Sequence, residues 1–314
     1  MAQREMDAIE ALKKNDTDLC EELIREGICL PEFAEVAWQN RIFRPAQLYE
    51  NAPNNVRDEM INILESDLED DILNINGLLI ALSAIGDDVV AECFMRWEKA
   101  QKNWRNKLHV GPAQYALEGN WCIENGEKRQ LFYEDSYALV ETEEDVPSVF
   151  GGASQQECPF CESSYQDILV LDGTDPRLSF LNVDGVIKIK SCLCCLPWSS
   201  PIISTYEVNG EGQVISHEGG VEYDYIDDES MNDHKPFILS KQKVSQHFCT
   251  EWEGSAIGGK PKFVDDASFA KCPKCGKYMK HIAQLDEEIT QFPGTVYVQI
   301  CTDCKTAASW YQQS

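Results

Sequence analysis

The chain has 314 residues, enough for two domains, and its 43% hydrophobic and 10% aromatic content excludes a disordered composition. Acidic residues outnumber basic residues by 54 to 27, which gives a formal net charge of −27. A field of this sign disfavours nucleic acid and acidic membranes as partners and favours a basic protein, although the same charge also serves solubility alone.

The first part of the chain carries helical patterns. Apolar residues recur at helical spacing from Asp7 to Ile24, and Asn15-Asp16 interrupts them, which predicts a helical hairpin. The same period recurs in three later segments, which are Val56–Leu64, Ile72–Ile85 and Val89–Trp104. We therefore predict a helical domain over residues 1–118, arranged as a helical repeat or a small bundle.

The N-terminus is charged and lacks a secretory apolar region, and no apolar run reaches the roughly 20 residues of a membrane span, so we expect a cytoplasmic protein.

The second part, residues 119–314, is predicted to be β-rich. Its candidate strands are Gln130–Tyr133, Tyr137–Glu141, Ile168–Leu171, Val186–Ile189, Val214–His217, His281–Leu285 and Thr295–Ile300. The polar, acidic run Tyr223–Glu229 indicates a surface loop. The expected fold class is α+β, with an N-terminal helical domain followed by a β-rich domain.

Fourteen cysteines are present, and stable disulfides are rare in the cytoplasm, so clustered cysteines indicate metal binding. Eight of them form two sets of paired C-x2-C motifs, which are Cys158, Cys161, Cys192 and Cys195, and then Cys272, Cys275, Cys301 and Cys304. Five others, Cys20, Cys29, Cys93, Cys122 and Cys249, are scattered and are interpreted as small buried hydrophobic residues.

The two sets belong to copies of one unit. Ten and thirteen residues after the first cysteine stand Ile168 and Leu171 in one copy, and Ile282 and Leu285 in the other. The segments before the third cysteine also match, in the pairs Gly185/Gly294, Ile187/Val296 and Ile189/Val298. The units span 158–195 and 272–304 and differ only in the loop, with 30 residues between the inner cysteines against 25. Each has the order of a zinc ribbon: knuckle, strand, turn, strand, knuckle.

Four thiolates at about 2.3 Å complete a tetrahedral shell around zinc and leave no open position, which favours a structural role over catalysis. We expect two structural Zn²⁺ ions per chain and no catalytic residues. Iron in place of zinc is compatible with the same ligands. A redox role for the C-x2-C pairs is the alternative to metal binding.

The first set contains one extra thiol. Cys195 restores the C-x2-C spacing to Cys192, and Cys194 is then expected to point into a core, although Cys194 is the alternative ligand. In the second set, Gly276 follows Cys275 at a position where a positive φ is favoured. In the first set, Glu162 follows Cys161 at the same position.

Several segments together resemble a known family. They are Gly258-Gly259-Lys260-Pro261, Phe263-Val264, CPKCGKYMKHIAQLD from Cys272 to Asp286, GTVYVQICTDC, and Tyr311-Gln312-Gln313-Ser314. These segments resemble the YwqG-type proteins of bacteria, which are related to the eukaryotic programmed cell death protein 2 group. The segment LDGTDPRLSFLNVDG fits members with two zinc knuckle pairs. The resemblance covers residues 75–314, and Phe263-Val264-Asp265 departs from the Trp-Ile-Gln that members commonly carry.

The resemblance implies a role in holding a protein partner. No enzymatic activity is established for the family; bacterial relatives have been proposed as toxin-immunity proteins, and eukaryotic relatives resemble chaperones of a ribosomal protein. We therefore expect a non-enzymatic acidic zinc protein that binds and neutralises a basic partner, such as a cognate toxin. Chaperoning of a ribosomal protein is the first alternative, and a hydrolase or transferase with an unrecognised site is the second.

The enzyme and nucleic-acid alternatives have little support in the sequence. His247 and Cys249 can pair an imidazole with a thiol on one strand face, but nothing in the sequence places a third group. Phosphate-binding, dinucleotide-binding, metalloprotease and nucleophile-elbow motifs are lacking. The local basic cluster that could contact nucleic acid is Lys271, Lys274, Lys277 and Lys280.

Overall fold

The computed structural model describes residues 2–66, 72–100, 102–217 and 236–313. The chain divides into two compact units, Met1–Leu131 and Phe132–Ser314. The acidic run Tyr223–Glu229, interpreted above as a surface loop, lies outside the described residues.

The first unit is helical, as predicted. Its described α-helices are α1 (Gln3–Leu12), α2 (Asp18–Arg25), α3 (Pro31–Asn40), α4 (Asn54–Glu65), α5 (Ile72–Ile85), α6 (Asp88–Lys99) and α7 (Pro112–Tyr115). Short 3-10 turns cover Ala46–Tyr49, Asn103–Lys107 and Ala116–Gly119. The expected hairpin is α1 and α2, and Asn15 between them adopts the left-handed conformation with φ of 63°. The helix expected over Val89–Trp104 ends at Lys99, and the 3-10 turn follows it.

A small hairpin extends this unit beyond residue 118. Strands β1 (Trp121–Glu124) and β2 (Glu127–Gln130) pair with each other. Trp121 is 2% exposed and its indole N–H donates to the Ser83 carbonyl at 2.8 Å, so the hairpin shares the helical core. The division between compact units therefore falls after Leu131 rather than between residues 118 and 119, where the sequence pattern predicts the domain boundary.

The carboxylate of Glu65, at the end of α4, accepts hydrogen bonds from three side chains. Its carboxylate accepts from Lys102 Nζ at 2.8 Å, from the Trp97 indole at 2.9 Å and from Arg96 Nη2 at 2.5 Å. Partial burial acts to raise the pKa of this carboxyl, but the three hydrogen bonds outweigh it and lower the pKa to about 2. The charged form of Glu65 thus stabilises the folded unit.

Replacing Glu65 by glutamine is expected to reduce the stability of the helical unit by about 1–2 kcal/mol at neutral pH, a value discounted for partial exposure. Because the folded pKa is depressed, this contribution is present above the unfolded value of 4.5 and is lost as the pH falls towards about 2. Chemical denaturation at neutral pH and between pH 4.5 and 2 measures the effect. The exposed Glu92→Gln is the matched control, and equal effects of both variants would contradict a special role for Glu65.

The described part of the second unit is β-rich and contains two sheets. Its described strands are β3 (Tyr133–Glu141), β4 (Ala153–Glu157), β5 (Ser164–Asp172), β6 (Val186–Ser191), β7 (Ile202–Tyr206), β8 (Gly212–Ser216), β9 (Phe237–Leu239), β10 (Ala256–Gly259), β11 (Lys280–Leu285), β12 (Thr295–Cys301) and β13 (Thr306–Gln312). Eight of these strands form one sheet in the order β8-β7-β13-β12-β11-β10-β3-β9, and the other three form a sheet in the order β4-β5-β6. A 3-10 turn covers Pro176–Leu181, and α8 spans Glu287–Thr290. The fold class is α+β as expected, although Gln130–Tyr133 is the junction between β2 and β3 rather than a strand.

The repeat seen in the sequence is also a repeat of strand register. In the first copy Leu171 pairs with Ile187, and in the second Leu285 pairs with Val296. The ladder of each copy shifts register at the equivalent place, between Asp167 and Leu169 and between His281 and Ala283. A β-bulge at the same position in both hairpins indicates that the two copies share one backbone plan.

The apolar side chains of both hairpins contribute to one core. Ile168, Ile187, Ile282 and Val296 are fully buried in the same hydrophobic cluster. The two knuckle-bearing hairpins are therefore built into the unit rather than appended to it. Within the described parts of the chain, no helix combines the length and the apolar character needed to cross a bilayer.

Candidate metal centres

The second cysteine set converges on one point. The sulfur atoms of Cys272, Cys275, Cys301 and Cys304 all lie within 4.8 Å of one another. Cys275 Sγ is 3.8 Å from Cys301 Sγ. A disulfide would require about 2.0 Å, whereas four ligands at about 2.3 Å from a tetrahedral ion lie about 3.8 Å apart. The spacing thus fits four ligands around a metal ion.

The backbone of this knuckle forms the turn that the C-x2-C spacing requires. The Cys272 N–H donates to the Lys277 carbonyl and the Gly276 N–H donates to the Cys272 carbonyl, both at 2.8 Å. Gly276 has φ of 74°, as expected for glycine at this position. Backbone N–H groups of Lys274 and Cys275 point at Cys272 Sγ, and that of Cys304 points at Cys301 Sγ. These donors stabilise thiolate ligands.

The first set also converges. Cys158 Sγ is 3.7 Å from Cys195 Sγ, and Cys161 Sγ is 3.4 Å from Cys192 Sγ. The knuckle repeats the hydrogen bonds of the second copy, because the Cys158 N–H donates to the Ser163 carbonyl at 2.8 Å and the Glu162 N–H donates to the Cys158 carbonyl at 2.9 Å. Glu162 has φ of 64°, so a non-glycine residue takes the left-handed position here.

A histidine outside the predicted ligand set lies beside the first cysteine set. His217 Nε2 is 3.4 Å from Cys158 Sγ and 3.4 Å from the Tyr165 hydroxyl. Together with Cys158, Cys192 and Cys195 it forms a group of donors that all lie within 4.8 Å of one another. Cys161 lies outside that group. Burial lowers the pKa of His217, which favours the neutral imidazole that binds metal.

The pKa values of the thiols in the second set are shifted in opposite directions. Burial acts to raise the pKa of Cys272, but the Thr306 hydroxyl at 3.1 Å and the knuckle N–H groups lower it to about 6. Burial raises the pKa of Cys301 to about 12, and the neighbouring cysteines add to this effect. These opposite shifts disfavour four thiolates without a counter-charge, and a divalent cation held by the group would supply that charge, with release of protons on binding.

The first site yields a test of its ligand set. We expect Cys195→Ser and Cys161→Ser each to lower the metal content by about one ion per chain, and Cys194→Ser and His217→Ala to leave it unchanged, because the C-x2-C knuckles present thiolates with backbone donors. Elemental analysis of the purified variants measures this. Loss of metal in His217→Ala with retention in Cys161→Ser would establish a Cys3His set instead. Loss in Cys194→Ser would shift the register by one residue.

The structure also places the residues of the alternative interpretations. His247 and Cys249 are both buried, at 6% and 8% exposure. The four lysines of the basic cluster each have a partner within the unit. Lys274 donates to the Cys304 carbonyl at 3.0 Å, Lys277 pairs with Asp303 at 3.8 Å, and Lys271 and Lys280 lie over tyrosine rings.

Fold and sites together define a two-unit α+β protein with two cysteine-rich groups able to hold metal ions. A relative of Salmonella typhimurium described as uncharacterized protein YpfL is 27% identical over 327 residues, which covers 95% of this chain and 74% of that protein. No family model matches the chain. No solved structure matches it.

Proposed function

We propose that this chain is a non-enzymatic zinc protein of the cytoplasm that binds and neutralises a basic protein partner. The observation that carries the proposal is the excess of 54 acidic over 27 basic residues in a protein whose metal groups have the composition of closed, four-ligand sites. Closed sites supply folding energy, so the function resides on the surface that they stabilise.

The charge favours a basic protein over nucleic acid. A net charge of −27 repels phosphate backbones and steers a cationic protein towards the surface. The internal partners of Lys271, Lys274, Lys277 and Lys280 support this choice, because the lysines that could contact phosphate already have interactions within the unit.

Within this class we propose toxin immunity, in keeping with the resemblance to YwqG-type proteins. Affinity capture of the tagged protein from its native cells at low salt, followed by mass spectrometry, tests the proposal. We expect one basic protein at one-to-one stoichiometry, with an association rate that falls steeply as salt rises. Growth arrest by the captured protein, relieved by co-expression of this chain, would support immunity. Capture of a ribosomal protein would support chaperoning instead, and the absence of any basic partner would contradict both.

A further inference from the structure

A cleft of 570 Å³ opens at one end of the eight-stranded sheet, and no cysteine of either group lines it. Its walls come from β3, β9, the segment before β10 and the turn after β11. Four of its eleven lining residues are acidic, namely Glu253, Asp286, Glu287 and Glu288. None of the lining residues, all of which the structure describes, is basic. All charged side chains that line the cleft are therefore acidic.

Aromatic side chains form the apolar part of the same cleft. Trp252 is 44% exposed, and the half-buried Phe248 lines the same cleft. Glu253, Glu287 and Glu288 are exposed. An aromatic face next to carboxylates suits a cation with an apolar stem, because the ring attracts the charge and the carboxylates accept its N–H donors.

The loop that carries Trp252 is held in place by hydrogen bonds. The Thr250 hydroxyl accepts from the Glu253 N–H at 2.8 Å, and the Thr250 N–H donates to the Glu253 carbonyl at 2.7 Å. Thr295 Oγ1 donates to the Glu251 carbonyl at 2.7 Å, which ties the loop to β12. The exposed indole is thus presented by an ordered loop, and its position costs little ordering entropy on binding.

Asp286 joins the two sides of the cleft. It is 5% exposed, and its carboxylate accepts from the Gly254 N–H at 2.7 Å and from the Ser255 hydroxyl at 2.8 Å. This carboxylate fixes the Trp252 loop to the turn that bears Glu287 and Glu288. Asp286 is therefore a positioning residue, whereas Glu287 and Glu288 are exposed and can pair with a ligand.

We propose that this cleft receives a lysine or arginine side chain of a basic protein partner, with Trp252 packing against the cationic group and Glu287 and Glu288 pairing with it. The inference rests on the proposed function for the identity of the partner, but the cleft is tested independently with a synthetic probe. Exposed tryptophan and arginine are the residues that most often dominate protein interfaces.

The probe is hexaarginine, with hexaglutamate and N-acetylarginine amide as comparison ligands, measured by calorimetry at low salt. We expect Trp252→Ala and the double variant Glu287→Gln/Glu288→Gln each to weaken hexaarginine binding about fivefold or more. Trp252→Phe should bind within about twofold of the wild type because it keeps an aromatic face. The matched charge control is Asp265→Asn/Asp266→Asn, an exposed pair outside the cleft, which we expect to change affinity less than about twofold.

The indole N–H signal of Trp252, assigned by its loss in Trp252→Phe, reports on the cleft directly and should shift on addition of hexaarginine. Equal binding by wild type and both cleft variants, or an unmoved indole signal, would overturn the proposal. Saturation by N-acetylarginine amide as tight as that by hexaarginine would also overturn it, in favour of a small cationic ligand. If the cleft variants still capture the basic partner with full affinity, the cleft assignment fails while the proposed function stands.

Discussion

Replacing Cys272 by serine is expected to remove one metal ion per chain and to abolish the cooperative unfolding of the β-rich unit. Cys272 is 1% exposed, and its sulfur lies within 4.8 Å of the other three cysteine sulfur atoms of its group. Structural zinc sites contribute on the order of 10 kcal/mol in small zinc peptides, which is comparable to the whole stability of a typical domain. Metal analysis and thermal unfolding followed by circular dichroism measure the two consequences.

The matched control is Cys194→Ser, which changes the same residue type in the same unit at a half-buried position. It should retain the full metal content and unfold close to the wild type. A Cys272→Ser protein that keeps its metal content and its melting temperature would show that this thiol is not a ligand.

Replacing Trp97 by alanine is expected to destabilise the helical unit by about 3–5 kcal/mol while leaving the metal content unchanged. Trp97 is 0% exposed, packs edge-on against Trp104 with ring centroids 6.0 Å apart, and donates to Glu65. Truncation leaves a large cavity and removes a donor from the Glu65 carboxylate. Denaturant unfolding with parallel metal analysis checks both parts of the expectation.

Trp97→Phe separates the cavity from the hydrogen bond, because it keeps a buried six-membered ring and leaves a smaller cavity than alanine, while it still removes the indole N–H. We expect it to cost less than half of the effect of alanine, on the order of 1–2 kcal/mol. A fall in metal content in either variant would contradict the assignment of both metal groups to Phe132–Ser314.

The metal groups were predictable because their chemistry is local and repeated. The turn of a C-x2-C knuckle brings its two cysteines together without help from the rest of the chain. The matching residues around Ile168 and Ile282 indicate, from the sequence alone, that the two hairpins have the same strand arrangement. The observed pairs Leu171 with Ile187 and Leu285 with Val296 confirm that plan at the level of strand register. The first C-x2-C turn of each copy also has the same two backbone hydrogen bonds, made by the N–H groups of Cys158 and Glu162 in one copy and of Cys272 and Gly276 in the other.

His217 could not be found in this way. It stands well after the last cysteine of its group, and it approaches Cys158 only because β8 lies beside β7 and brings its end to the knuckle. A lone histidine at that distance carries no spacing signal, so tertiary structure alone reveals it.

Strands without a local pattern were also missed. β10 has the sequence AIGG, in which two glycines oppose strand formation, and it exists because β3 and β11 flank it. A Cβ atom at Gly258 would lie 1.9 Å from the Asp135 carbonyl oxygen, so the close approach of β3 requires glycine there. β13 is buried on both faces between β12 and β7, which removes the alternation that marks a half-exposed strand.

The Trp252 cleft was unpredictable for a related reason. Its lining comes from segments around residues 139, 237, 248–255 and 286–289, which the sheet brings together at one end. The sequence indicates the acidic excess but not the place where it meets an exposed aromatic ring.

The most direct test of the two metal sites is the metal content of the purified wild-type chain by inductively coupled plasma mass spectrometry. We expect about two zinc ions per chain, both lost when the chain is unfolded in a strong chelator, with uptake of protons by the freed thiolates. A chain that folds with no bound metal, or that holds iron with its visible absorbance in place of zinc, would contradict the assignment of two structural zinc sites.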